Sequence, residues 1–253
     1  MASPETSTFT FQIGTPEGSI RASLTLPGPM ARLSDLARAV LPLDDQLVQM
    51  STKRHLKVAK AEISCKKGCG SCCNQLVPIS PAEAFLLHDL VSAMPEARQE
   101  EVLKRFIDAE EVHDEQGIDE TTLNSVSDER ALQEVLVAHH RLGVPCPFLE
   151  EGSCSVYLQR PTMCREYLVT SPAENCAKIG EANVKPVPMS VRMSLALAKV
   201  SARLLGGGPL IMPFTLAIRF GEAHEDESQK KFDSYMLVNL LLEFLAGTQE
   251  KKA

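Results

Sequence analysis

The chain has 253 residues, 44% of them hydrophobic and 23% charged, the balance of a globular protein rather than a disordered or fibrous one. A chain of this length buries a core without covalent cross-links, so its eight cysteines are not needed as staples. Lys and Arg number 26 against 33 Asp and Glu, a net charge of -7, and no basic stripe is long enough to follow a phosphate backbone, which argues against nucleic acid as a partner.

The start, MASPETSTFTFQIG, has no basic residue ahead of an apolar run, and Glu5 and Glu17 precede the first Arg, so neither a secretory leader nor an organelle transit peptide is expected. The most apolar stretch, Met236 to Ala246, is interrupted by Asn239 and Glu243 and is shorter than the roughly 20 residues of a membrane span. These features predict a cytoplasmic protein with no membrane partner, in a compartment where thiols stay reduced unless a metal holds them.

Residues 9–26 alternate as a β-hairpin around a turn at Thr15 to Gly18. Leu33, Leu36, Val40, Leu43, Leu47 and Met50 recur at helical spacing and predict a helix over 33–60, capped by Ser34 and kinked at Pro42. Ser80-Pro81-Ala82-Glu83 combines a capping hydroxyl, Pro at the first helical position and Glu at the third, and starts a helix reaching about Met94. Two amphipathic helices follow over 95–116 and 126–142. From Pro145 to Val187 turn formers interrupt every pattern, and irregular structure wrapped around ligands is expected. Helices over 190–205 and 230–247 close the chain, with an extended or helical apolar piece at Leu210 to Phe220 between them. Gly206 to Pro209 lacks the Lys-Ser/Thr of a phosphate loop and follows a helix, so it is read as a helix stop. The predicted fold is mainly α: an N-terminal hairpin or extended segment over 1–30, then one irregular helical domain over 31–253 organised around a cysteine core at about 62–180.

Cys65, Cys69, Cys72 and Cys73 form a C-x3-C-x2-C-C string in which Gly68 and Gly70 permit a tight turn. Zinc and iron–sulfur centres both need thiolates converging from such a turn, with cations nearby to offset their charge, and Lys66 and Lys67 lie in place for that. The second group, Cys146, Cys154, Cys164 and Cys176, is more widely spaced than a zinc finger, but the two groups together point strongly to ligation over buried thiols or disulfides. Side chains of adjacent Cys72 and Cys73 should diverge, so that both would not readily meet one tetrahedral metal. The eight cysteines are the predicted metal ligands, with an iron–sulfur cluster of the 4Fe-4S kind preferred over zinc because the number and spread of thiols suit a larger centre or a pair of centres. Arg160 and Arg165 are candidates to neutralise it, against the plainer reading of surface or packing residues. None of the six histidines has ligand spacing.

The string C-x3-C-x2-C-C, followed by Cys146-Pro147-Phe148-Leu149, by Gly152-Ser153-Cys154-Ser155-Val156-Tyr157 and by Arg160-Pro161-Thr162-Met163-Cys164-Arg165-Glu166-Tyr167, resembles the YkgJ family of cysteine-cluster proteins, described as zinc- or iron-chelating. The resemblance spans roughly 62–168, places Cys65, Cys69, Cys72, Cys73, Cys146, Cys154 and Cys164 at matching positions, and stops short of Cys176. It implies a metal site and no particular reaction, although a similar motif occurs in flagellin lysine methylases. Cys65, Cys69 and Cys72 alone are also similar to the motif of radical S-adenosylmethionine enzymes, but a helix precedes Cys65 here and no β/α alternation follows. Two functions therefore stand side by side: a metal-binding module, preferred because no general base or nucleophile accompanies the thiols, and a metal-dependent enzyme that acts on a protein side chain or in redox chemistry, which would give the chain a protein partner or substrate.

Overall fold

The computed structural model describes residues 6–207 and 210–247; the first five residues of the hydroxyl-rich start and the Gly208–Pro209 half of the helix stop lie outside the described residues. Strands β1 (Ser7–Thr15) and β2 (Gly18–Leu26) pair antiparallel in the register Ser7 with Leu26 to Thr15 with Gly18, as their alternation predicts. One face buries Ile13, Ala22, Leu24 and Leu26 against the helices, and the other is solvated. A short strand, β3 (Met30–Arg32), leads into α1 (Leu33–Ala59). The cap of α1 is Arg32, whose backbone amide donates to Asp35, whereas Ser34, the expected cap, is inside the helix and buried. The helix thus begins two residues earlier than a cap at Ser34 would allow. Pro42 sits within α1, which continues to Ala59.

β4 (Pro78–Ile79) precedes α2 (Pro81–Ser92), whose start matches the predicted capping box: Ser80 Oγ accepts from the Glu83 amide, and Glu83 Oε2 accepts from the Ser80 amide and hydroxyl. Then come α3 (Glu96–Glu115) and α4 (Glu129–Leu142), the two-stranded pair β5 (Leu149–Glu150) and β6 (Ser153–Cys154), and the one-turn α5 (Thr162–Glu166). α6 (Met193–Leu205) ends at Gly206 in the left-handed conformation, as a helix stop requires. The apolar piece after it divides into β7 (Met212–Pro213), a 3-10 turn and α7 (Ala217–Ala223), and α8 (Glu225–Gln229) follows. The stretch expected to be helical from Lys230 begins instead as β8 (Lys231–Asp233), which pairs with β3, and only then becomes α9 (Ser234–Gly247). Ser234 fixes the change, donating through its amide to Pro29 and through its hydroxyl to Gly28.

The core lies among α1, α2, α6, α7 and α9, with Leu36, Val40, Phe85, Leu197, Leu237 and Leu241 shut away from solvent. α7 closes on α2 at Gly221, where a Cβ would stand 2.7 Å from that of His88. Among the described residues no helix is long and apolar enough to cross a membrane. The fold is mainly α, and cysteines of the segments 64–73 and 146–176 meet at one cavity.

Candidate metal centre

The first cysteine loop is a run of tight turns: the amides of Cys69, Cys73 and Gln75 donate to the carbonyls of Lys66, Gly70 and Cys72. Gly68 takes a φ of +86°, which a side chain would resist, and Gly70 meets a different constraint. A Cβ on Gly70 would stand 2.7 Å from the carbonyl oxygen of Gly152 and from Leu149 Cδ1, so the loop seats against the β5–β6 turn only because no side chain intervenes. That contact carries Cys154 to the first cluster. The Cys146 amide donates to the Cys73 carbonyl at 2.7 Å, which carries in the first cysteine of the later group. On the other flank the Ser64 amide donates to Val169, and the Val169 amide points at Cys65 Sγ at 3.4 Å.

α5 delivers Cys164, and polar groups from three core helices hold it in place. Glu83 Oε1 of α2 accepts from the amide and hydroxyl of Thr162 at 2.8 and 2.7 Å, Glu166 accepts from the amide and hydroxyl of Ser194 of α6, and Arg165 donates to Asp45 of α1 at 2.6 Å. Burial pushes the Glu166 carboxyl up to about 7 despite its Ser194 bonds. Neither Glu83 nor Glu166 stands out in the sequence as part of a site. Their only local signal is the capping box, which accounts for half of what Glu83 does.

Seven thiols, those of Cys65, Cys69, Cys72, Cys73, Cys146, Cys154 and Cys164, line one cavity of about 750 Å³. Cys176 is buried just outside its lining, near enough that Cys65, Cys69 and Cys72 act on it electrostatically, and its carbonyl accepts from the Gln75 side chain. None of the eight is in a disulfide. Among the described residues no three His, Cys, Asp or Glu side chains stand at the spacing that would grip a single ion; the thiols ring a space rather than close on a point. The adjacent thiols of Cys72 and Cys73 act on each other, which favours Cys72 as the thiolate and keeps the proton on Cys73. Burial raises Cys146 to about 12 and Cys176 to about 11, and shifts Cys65, Cys154 and Cys164 in the same direction.

Arg160 is a cation of the cavity wall. Its guanidinium carbon lies 4.0 Å from the centroid of the Tyr157 ring, and its charge favours the thiolates of Cys65, Cys72, Cys154 and Cys164. Arg165 is placed differently: nearly inaccessible and outside the cavity lining, it donates to the carbonyls of Arg160 and Leu158 as well as to Asp45. It holds the loop that presents Arg160. Lys66 lines the cavity and Lys67 does not.

Thiols that are gathered, in no disulfide and mutually repelling as anions suit a group that brings positive charge, and all-sulfur donors suit zinc and iron–sulfur centres alike. Comparison with known proteins agrees. Residues 64–185 match the CxxCxxCC family model, described as a "putative zinc- or iron-chelating domain", across just under half of the chain and over all eight cysteines, Cys176 among them. This segment is similar to that cysteine-cluster family, the one its motifs resemble. No curated protein and no solved structure matches the chain. Metal binding through the cysteines is thus supported from the family and from the gathering of thiols, and zinc and iron both remain consistent with it.

Proposed function

We propose that this chain holds an iron–sulfur centre through the thiols that ring the cavity, and that this centre is the reason for the cysteine-bearing segment. The carrying observation is the gathering of seven thiols around one space with an eighth beside it, twice the four that a tetrahedral zinc site takes. Arg160, stacked on Tyr157 within the cavity, offsets part of the negative charge that thiolate ligation leaves. When bound, such a centre supplies electron transfer or a site for substrate ligation; this chain's own residues position, shield and neutralise it. The reading assumes the reducing cytoplasm, where unpaired thiols persist.

The cavity also favours a second reading, in which the centre acts on a molecule bound beside it, because the space extends well past the sulfurs. The substrate class then includes protein side chains and redox partners.

The test is anaerobic purification of the full chain, followed by metal and acid-labile sulfide analysis and a visible spectrum. Iron and sulfide in comparable amounts, with a broad brown absorption lost in Cys72→Ser, are expected. A colourless protein carrying stoichiometric zinc would overturn the iron–sulfur assignment, and one carrying no metal after reconstitution would overturn metal binding.

A further inference from the structure

Beyond the thiols the cavity is walled mainly by apolar side chains, among them Leu123, Leu132, Leu136, Ile179, Ile211 and Phe214, none of which can ligate a metal. Its volume falls within the roughly 300–1,000 Å³ typical of small-molecule sites, and so does its make-up: apolar walls with a few polar groups at one end.

The roof of this space is α4, which is sparsely packed against the other helices. Apolar stripes of amphipathic helices normally face a core. Here Leu132 and Leu136 face the cavity, and Leu132 is 37% exposed. Collapse of the helix onto the thiols would bury that stripe, but its second half is fixed from two sides. His139 Nε2 lies 3.0 Å from His113 Nε2 of α3, both rings buried, and His140 Nε2 lies 3.1 Å from the Ala177 carbonyl oxygen. Val137 meets Gly180 so closely that a Cβ there would lie 3.0 Å from it. The opposite wall is equally built: the Asn124 side chain donates to the Ile211 carbonyl and accepts from the amides of Leu210 and Ile211. The space is therefore held open by polar contacts outside it.

We propose that this chamber is a binding site for an uncharged organic molecule of aliphatic or aryl character, with Leu132 and Leu136 as its roof. The charge follows from the surroundings. An anionic head would meet the thiolates and Glu181, a cationic head would meet Arg160 and Lys66, and the greater part of the remaining wall is apolar and offers an ion no partner. The inference deepens the metal-centre reading, placing a ligand beside the centre, but the chamber's walls belong to other residues.

The experiment is calorimetric titration of the anaerobically purified full chain, its metal and sulfide content measured on the same samples, with 1-octanol, 1-butanol, octanoate and octylammonium. Four methylenes at about 0.8 kcal/mol each predict octanol binding at least tenfold more tightly than butanol. Octanol should also exceed both ions of equal chain length by tenfold or more. Leu136→Glu should weaken octanol at least tenfold with unchanged metal content, and Leu132→Gln, at a partly exposed position that tolerates a polar group, should weaken it severalfold. Equal binding of octanol and butanol, tighter binding of either ion, or indifference to both substitutions in metal-loaded protein would overturn the chamber. Octanol binding by a chain that takes up no metal would uphold the chamber and overturn the metal reading.

Discussion

The amide of Cys146 donates to the carbonyl of Cys73 across 2.7 Å, and this one backbone bond joins cysteine groups more than seventy residues apart. Its seating depends on the contact beside it, where Gly70 lies against Gly152 and Leu149. Gly70→Ala places a methyl 2.7 Å from a carbonyl oxygen that cannot yield without moving the β5–β6 turn. The expected outcome is a loss of about 1–3 kcal/mol in stability with reduced metal uptake. Glycine-to-alanine exchange at Gly117, where φ is +66° but a Cβ meets nothing, is the control for backbone strain alone. Denaturation midpoints and metal content of both variants separate the two effects.

Arg160 and Arg165 are five residues apart and do different work, so their substitutions should separate. Arg160→Met removes a cation from the thiol cavity but no hydrogen bond that holds the fold, and should weaken metal retention with little change in folding. Arg165→Met leaves the Leu158 and Arg160 carbonyls without their donor and should cost about 2–3 kcal/mol of stability. Chelator competition and chemical denaturation, run on both variants, give the two readouts. Equal loss of stability in both would contradict the assignment.

The division between what was and was not legible in the sequence follows the range of the interactions. Ser80 and Glu83 are three residues apart, so the start of α2 could be read directly, and so could the β1–β2 hairpin, whose strands are joined by a short turn. The same Glu83 reaches Thr162 with its other oxygen, a contact across 79 residues that no local pattern encodes. Lys231 to Asp233 read as the beginning of a helix because their partners are Met30 to Arg32, at the far end of the chain. The gathering of the thiols was visible because cysteine clustering is a compositional signal. The role of Arg165 and the histidine pair were not, because each depends on where a distant segment passes.

Loading the centre should release protons. In the metal-free chain, burial keeps Cys146 protonated with its value near 12, and shifts Cys65, Cys154 and Cys164 upward as well. Ligation requires thiolates, so each of these sulfurs gives up close to one proton on binding. Apparent affinity should therefore fall steeply as pH is lowered below neutrality. Proton release on adding zinc as a redox-inert probe, measured in a weakly buffered solution, checks the sign; uptake of metal without acidification would contradict it.

The buried pair His113 and His139 predicts a second, independent pH dependence. Thr215 Oγ1 lies 3.2 Å from His113 Nδ1, the two Nε2 atoms are 3.0 Å apart, and His139 Nδ1 has no hydrogen-bond partner among the described residues. Neutral rings satisfy this chain with one proton between the Nε2 atoms and one between His113 and Thr215. Protonating His139 adds an N–H at Nδ1 with no acceptor and a charge in the interior, next to His113 and His140, and burial holds its value down to about 4. Burial lowers His113 too, with Arg219 adding to the effect and Asp114 opposing it. In the unfolded chain the imidazole titrates near 6.5, so the unfolded state takes up protons first as pH falls. Stability is thus unaffected above about 6.5 and declines between there and about 4, by on the order of 3 kcal/mol for His139 if fully expressed. His139→Phe, which cannot titrate, should show a shallower decline over that window. The comparison is made between the two proteins at each pH, so that acid loss of metal, common to both, cancels. Parallel decline of the two would show that the pair does not sense acid, and the fixing of α4 to α3 would then have to rest on packing alone.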